Sequence, residues 1–204
     1  MTEDRRLVQP IVIETGPDAT HQGTVRAAAL ACVAAYAADR DNPESLWEEW
    51  LSGPFTKVVR RAKPAVFAKL TPLVSIEGPG GRAAAFGPVD DADVPKDLSR
   101  LQVSGTDLPR AATRPQPDPR AVVVVNKDLG MTTGKTAAQV SHALLSLALE
   151  NPDVTIEDFA FYELSVAAGF ETHMGRNPGT RIIVDAGRTE TEPGTTTAFA
   201  YLRP

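Results

Sequence analysis

The sequence predicts an α/β fold in which a mixed β-sheet is packed by helices, possibly as two related α/β halves. Apolar strands alternate with helical segments along the chain, which is typical of this class. In addition, both parts of the chain begin with an apolar strand followed by a helix. These pairs are predicted over residues 10–14 with 23–38, and over 121–126 with 134–149.

A proline-rich segment separates the two parts. Residues 106–120 contain four prolines, a density that prevents a helix or central strand and favours a semi-rigid connector. We therefore predict a degenerate N-terminal half over residues 1–106, a linker over 107–119 and a second half, carrying the site, over 120–204.

The spacing of similar residues suggests an internal duplication. Val12 and Gly23 recur 111 residues later as Val123 and Gly134, and the Ala-Phe pair at 85–86 recurs 113 residues later. A near-constant offset is typical of repeated units.

The remaining elements follow from periodicity and turn residues. Thr155 and Asp158 form a potential capping box, which predicts a helix over residues 156–166. The other predicted elements are a short helix from Ser45 and strands over 56–62, 74–77, 82–86, 181–185 and 195–202.

Composition excludes several classes of protein. No apolar run approaches the roughly 20 residues that cross a bilayer, and Cys32, the single cysteine, excludes an internal disulfide framework. The first residues, MTEDRR, lack the features of a signal peptide, so we expect a soluble cytoplasmic protein. The net charge of −5 argues against non-specific nucleic-acid binding.

One basic segment departs from this acidic average. Lys57, Arg60, Arg61 and Lys63 lie close together without an acidic neighbour. Lys57 and Arg61 share one face of the predicted strand and are candidate contacts to RNA phosphates. The alternative is that Arg60 and Arg61 form ion pairs with acids such as those at 48–49.

The helix of the second half carries a polar stripe. At 3.6 residues per turn, Lys135, Gln139, His142 and Ser146 fall within about 60° of one another. A lysine in the first turn opposes the helix dipole, so we expect an anion beside it, either a phosphate or a carboxylate. A solvated helix face remains the alternative.

Asp185 is the second candidate group. It follows three apolar residues that are predicted to form a strand, so it lies at the end of that strand, where α/β proteins commonly bind ligands. A simple hairpin with an aspartate turn is the alternative. A P-loop is disfavoured, because only three residues separate Gly130 from Gly134. The three histidines lack metal-ligand spacing, so neither a metal nor a cofactor is predicted.

Together, two segments resemble the type-2 peptidyl-tRNA hydrolase family. They read NKDLGMTTGKTAAQVSHA and DAGRTETEPGTTTAFA, in the family's order, and the resemblance covers residues 121–202. The segments WEEWLSGPFTKVVRRA and LSRLQVSGTDL of the first half resemble an actinobacterial branch that carries the family-like domain C-terminally.

The resemblance implies hydrolysis of the ester bond of peptidyl-tRNA by an activated water, without a cofactor or metal. The catalytic residues that it implies are Lys135, Gln139, Asp185 and Thr189. The substrate-binding residues are Asp128, Gly134, His142, Arg188 and Thr195, to which the basic segment adds Lys57 and Arg61.

The chain also departs from the family pattern. Gly130 and Thr133 stand where the family usually has lysines, and the basic segment could replace those phosphate contacts. The protein is expected to act on peptidyl-tRNA as a monomeric pseudo-dimer or as a homodimer. The alternative function is a non-catalytic RNA-binding or protein-interaction module on the same fold.

Overall fold

The computed structural model describes residues 5–111, 119–177, 179–187 and 190–204. It confirms a mixed α/β fold, with strands distributed between two sheets. The strands are β1 (Leu7–Glu14), β2 (Thr56–Ala62), β3 (Val74–Gly78), β4 (Gly81–Ala85), β5 (Val89–Asp90), β6 (Ala121–Asn126), β7 (Phe159–Leu164), β8 (Arg181–Val184) and β9 (Thr196–Leu202).

Helices connect and cover these strands. They are α1 (His21–Asp39), α2 (Trp47–Ser52), α3 (Pro64–Phe67), α4 (Lys96–Ser99), α5 (Thr133–Glu150) and α6 (Phe170–Arg176). Short 3₁₀ turns span Asp91–Asp93 and Lys127–Leu129. The side chains of Thr20 and Thr132 accept hydrogen bonds from the first turns of α1 and α5, which fixes where the two long helices begin.

The two sheets have the same strand order. The first is β2-β1-β4-β3, with β5 also pairing β1, and the second is β7-β6-β9-β8. In the first sheet β1 lies parallel to β2 and antiparallel to β4, and in the second sheet β6 lies parallel to β7 and antiparallel to β9. The inner faces of both sheets and the facing sides of α1 and α5 form one continuous apolar core.

Residues of the first half correspond in structure to residues 112 positions later in the second half, as the pattern of buried residues shows. The caps Thr20 and Thr132 differ by this number. Each buried residue of α1 has a buried counterpart in α5 at the same offset: His21, Thr24, Val25, Ala27, Ala28, Ala29, Ala31, Cys32, Val33 and Ala35. An offset of 111 would rotate this pattern by about 100° around the helix axis, so the sequence-based offset was wrong by one residue.

Strand pairing corrects the second offset as well. Ile11 and Val123 both face the shared core, and they pair with Ala85 and Ala200 respectively. Ala85 therefore corresponds to Ala200, and the repeated Ala-Phe letters reflect similar composition.

One predicted helix is wrong. Residues 159–164 form β7, parallel to β6, instead of part of a helix over 156–166. The aromatic side chains at 159 and 161 face the shared core, while Ala160 faces the opposite side of the sheet. This two-residue alternation outweighed the local capping signal, because only a strand pairs with β6.

The start of the proline-rich segment is anchored to both long helices. Thr106 accepts a hydrogen bond from the N–H of Gly134 at 3.1 Å, and Pro109 accepts one from the N–H of His21 at 2.9 Å. Residues 112–118, in the middle of the predicted linker, lie outside the described part of the chain.

The first half has no room for a side chain where α5 carries Lys135. At the corrected offset this position is Gly23, and a Cβ there would lie 2.4 Å from the backbone of Gly80. Ala27 and Leu30 occupy the positions of Gln139 and His142. The turn at 79–81 therefore closes against α1, and the polar stripe belongs to the second half alone.

This close approach gives a stability prediction with a matched control. We expect Gly23→Ala to lower the free energy of unfolding by about 1–3 kcal/mol, because the added methyl overpacks the helix against the turn. Gly175→Ala is the control, since a Cβ at Gly175 meets nothing within 4 Å and alanine favours a helix. Urea denaturation measures both changes; equal stability of Gly23→Ala and the unmodified protein would contradict the prediction.

Candidate active site

A cleft of about 790 Å³ lies between the two halves. One wall comes from β2 and residues 103–104 of the first half, and the other from β8 and the turn that follows it. Its floor is α5, whose Lys135, Gln139, His142 and Ser146 all line the cleft. The predicted polar stripe is thus confirmed, and it faces a cleft between elements.

Asp185 is held at the end of β8 by three donors. The ammonium group of Lys135 forms an ion pair with Oδ2, and the amide of Gln139 donates to the same oxygen at 2.6 Å. The backbone N–H of Gly187 donates to Oδ1 at 2.7 Å. The carboxylate is only 6% exposed, so its position is strongly constrained.

Thr197 orients this cluster, although the sequence analysis did not single it out. Its buried hydroxyl donates to Oε1 of Gln139 at 2.9 Å, which turns the NH₂ group of that amide toward Asp185. A register shift between β8 and β9 falls beside Thr197. A run of three threonines at 195–197 was the available sequence signal, but it does not reveal which hydroxyl turns inward.

These contacts keep Asp185 ionised. Burial by itself would raise the pKa of its carboxyl group, but the hydrogen bonds from Lys135, the N–H of Gly187 and the side chain of Thr191, together with the positive charge of Lys135, outweigh it. The pKa of Asp185 therefore lies below its ordinary value. At neutral pH the site is a carboxylate paired with a cation.

Two carboxylates offset the unfavourable placement of a lysine at the positive end of the α5 dipole. Glu190 accepts hydrogen bonds from the backbone N–H of Thr132 at 2.8 Å and from its hydroxyl at 2.6 Å. An anion beside Lys135 was expected, and Asp185 supplies it. The N–H of Gly134 is already bonded to Thr106, so the predicted contact of Gly134 with substrate has no available donor here.

Lys57 enters the cleft from the first half and contacts His142. Its ammonium group lies 3.3 Å from Nδ1 of His142 and packs over the rings of Trp50 and Phe55 at 4.6 and 4.5 Å. Burial lowers the pKa of Lys57 to about 8. Burial, and then the charges of Lys57 and Lys135, hold the pKa of His142 well below its ordinary value.

The contact assigns a protonation state to His142. A neutral imidazole that accepts a hydrogen bond at Nδ1 carries its proton on Nε2. Lys57 therefore contributes to the cleft as the partner of a neutral histidine. No sequence signal linked these two residues, since they belong to different halves.

Removing Lys57 should raise the pKa of His142. Lys57→Met keeps an apolar stem but deletes the charge that disfavours the imidazolium form, and Arg61→Met is a control that removes a cation outside the cleft. An NMR titration of the His142 ring protons measures the effect. A pKa of His142 that is unchanged in Lys57→Met would contradict this assignment.

The arginines of the basic segment bond to backbone and amide groups. Arg60 donates to the carbonyl of Leu101 at 3.3 Å. Arg61 donates to the carbonyl of Gly105 at 3.2 Å and to the side chain of Gln102. The alternative, ion pairs of Arg60 and Arg61 with the acids at 48–49, does not occur among the described residues, where Glu49 pairs with Arg5 at 3.1 Å.

Four further predicted residues, Asp128, Thr195, Arg188 and Thr189, complete the set. Asp128 accepts a hydrogen bond from the N–H of Val166 at 2.8 Å and does not line the cleft. Thr195 contacts Asp185 through its backbone, whose carbonyl accepts the N–H of Asp185 at 2.9 Å. Arg188 and Thr189 lie outside the described residues.

Metal sites and membrane-spanning helices are both absent from the described residues, 5–111, 119–177, 179–187 and 190–204. They contain no group of three or more His, Cys, Asp or Glu side chains arranged to hold a metal ion. They also contain no helix with the length and apolar character needed to cross a bilayer.

Part of this chain is similar to proteins of known family. The family described as "Peptidyl-tRNA hydrolase PTH2" matches residues 120–163. A peptidyl-tRNA hydrolase of Sulfurisphaera tokodaii is 35% identical over 100 residues, which cover 39% of this chain and 81% of the relative. One of Halobacterium salinarum is 36% identical over 92 residues, covering 40% and 82%, respectively.

A third relative, a peptidyl-tRNA hydrolase of Metallosphaera sedula, is 32% identical over 96 residues, covering 38% of this chain and 80% of the relative. Most of each relative is therefore matched by less than half of this chain. The polar stripe of α5, from Lys135 to Ser146, lies entirely within the matched family segment. This chain belongs to the type-2 peptidyl-tRNA hydrolase family.

Proposed function

We propose that this protein hydrolyses the ester that joins a peptide to the terminal ribose of tRNA. Water adds to the ester carbonyl carbon, the bond from that carbon to the ribose oxygen breaks, and a proton from the water passes to the ribose oxygen. The products are a tRNA with a free terminal hydroxyl and a peptide carboxylic acid, which releases its proton to solvent and becomes a carboxylate. The observation that carries the proposal is the Lys135–Asp185–Gln139 cluster in the cleft.

Asp185 orients the attacking water. Lys135 and Gln139 contact Oδ2 of its carboxylate, and the N–H of Gly187 donates to Oδ1. Because a carboxylate oxygen can accept more than one hydrogen bond, Oδ1 in this proposal also accepts one from water and directs the oxygen lone pair of that water at the ester. The lowered pKa of Asp185 makes it a permanent acceptor near neutral pH, but a weak base. Orientation is therefore its main role.

Lys135 stabilises the negative charge that develops on the carbonyl oxygen. Its side chain is only 11% exposed, and a cation acts more strongly on a nearby charge when water is excluded. Gln139, fixed by Thr197, holds Asp185 in place. We retain Thr189 and Arg188 as proposed site residues, on the family resemblance.

The N-terminal half completes the cleft in this proposal. We propose the division into residues 1–106, 107–119 and 120–204, with peptidyl-tRNA as partner and the cytoplasm as location. Lys57 and Val103 line the cleft from the first half, so the second half alone would leave one wall open.

A direct assay tests the proposed function. The purified chain is incubated with an N-acetyl-aminoacyl-tRNA, and release of the acyl group is measured against the spontaneous rate. We expect turnover well above that rate. Binding of the substrate without turnover would contradict hydrolysis and support the non-catalytic RNA-binding alternative.

A further inference from the structure

The cleft follows an unpaired edge of the second sheet. β8 pairs with β9 on one side, and no strand among the described residues pairs with its other side. The whole stretch 182–186 lines the cleft, although successive side chains of a strand point to opposite faces. A cleft that contacts both sets of side chains runs along the edge of the strand.

Backbone groups on this edge are directed into the cleft. The N–H of Asp185 donates to Thr195, and the carbonyl of Ile183 lies 3.2 Å from the hydroxyl of Thr197, both on the β9 side. Backbone groups alternate in direction along a strand, so those of Ile182 and Val184 point away from β9. An exposed edge of this kind readily pairs with an added strand.

Apolar side chains flank the same edge. Ile182 is 49% exposed, Val184 is 55% exposed, and Val103 on the opposite wall is 46% exposed. All three line the cleft. An extended peptide placed here would therefore find backbone partners on β8 and apolar surface on both sides.

The direction of β8 fits a peptide whose C-terminal carbonyl is the reacting group. At its start, Arg181 forms an ion pair with Glu150 at the end of α5. At its end, Asp185 contacts Lys135 in the first turn of α5. A strand added parallel to β8 therefore runs toward Asp185 and brings its own C-terminal end to the carboxylate cluster.

We propose that β8 binds the peptide of peptidyl-tRNA as an added parallel strand, through the backbone N–H and C=O groups of Ile182 and Val184. This inference rests on the proposed function, and it specifies how the acyl part of the substrate is held. Backbone pairing does not depend on side-chain identity, so the cleft accepts peptides of many sequences. It also favours long peptides over a single acylated amino acid.

A proline substitution tests the backbone contact. Ile182→Pro removes one outward N–H without removing a hydrogen bond to β9, and edge strands tolerate proline. We expect the ratio of kcat/KM for a hexapeptidyl-tRNA to kcat/KM for an N-acetyl-aminoacyl-tRNA to fall about tenfold. Ile182→Thr, which keeps the N–H and a β-branched side chain, is the matched control and should retain most of the ratio.

Two results would overturn the proposal. One is an unchanged ratio in an Ile182→Pro protein whose melting temperature shows that it is folded. The other is an equal fall in Ile182→Pro and Ile182→Thr, which would assign the preference to the side chain.

Amide hydrogen exchange on the unmodified protein gives a test independent of folding defects and of turnover. The probe is a hexapeptide joined through an amide to 3′-amino-3′-deoxyadenosine, a stable mimic of the substrate end. Binding should slow exchange of the Ile182 and Val184 amides, and an N-acetyl-aminoacyl analogue should not. Unchanged exchange at saturation would overturn the proposal. Absence of hydrolysis by the unmodified protein would contradict the proposed function alone.

Discussion

Asp185→Asn should reduce kcat for N-acetyl-aminoacyl-tRNA by about 100-fold or more. Asparagine keeps the size and shape of the side chain but removes the charge that holds Lys135 and replaces one acceptor oxygen with a donor. The water-orienting position and the ion pair are therefore lost together. The measurement is single-turnover release of the acyl group, which separates the chemical step from product release.

The matched control for this change is Asp153→Asn, which removes an exposed carboxylate that does not line the cleft. We expect it to keep the rate of the unmodified protein. Because burial of a charge without its partner also destabilises a protein, the melting temperature of Asp185→Asn is measured in parallel. A folded Asp185→Asn protein with a rate near that of the control would contradict the mechanism.

Lys135→Met should produce a loss of similar size, about 100-fold or more, together with a change in pH dependence. In the unmodified protein the pKa of Asp185 lies below its ordinary value, so the active carboxylate persists as the pH falls through the weakly acidic range. Without Lys135, only the remaining hydrogen bonds oppose the increase in pKa that burial causes, so the pKa of Asp185 rises. The acidic limb of the pH–rate profile therefore moves to higher pH.

Through its effect on the pKa of Asp185, Lys135 also makes the stability of the folded protein depend on pH. A carboxyl group whose folded pKa is depressed stabilises the folded state above its unfolded pKa, and this contribution is lost as the pH falls through the folded pKa. Lys135→Met should therefore reduce the stability difference between neutral and acidic pH. Lys135→Arg, which keeps the charge, is the control and should preserve the pH profile better than Met. A profile in Lys135→Met that overlays the original would contradict the coupling.

The sequence by itself determined the class of fold and the helix that forms the floor of the site. Apolar runs of β-branched residues predicted β1 and β6, and helical periodicity predicted α5 with its stripe of Lys135, Gln139 and His142. These features depend on local backbone geometry and on which face of an element is apolar. Both are properties of neighbouring residues.

Pairing between distant segments was decided only by the tertiary structure. Residues 159–164 became a strand because β6 offered a parallel partner, and the offset between the halves became visible only from burial on α1 and α5. In the same way, the contact between Thr197 and Gln139 joins residues 58 positions apart, and the contact between Lys57 and His142 joins residues 85 positions apart. Such contacts depend on sheet register and helix packing. Both are determined by many weak interactions between residues that lie far apart in the chain. No local pattern encodes the free edge of β8 or the cleft that follows it, because both arise where two folded halves meet.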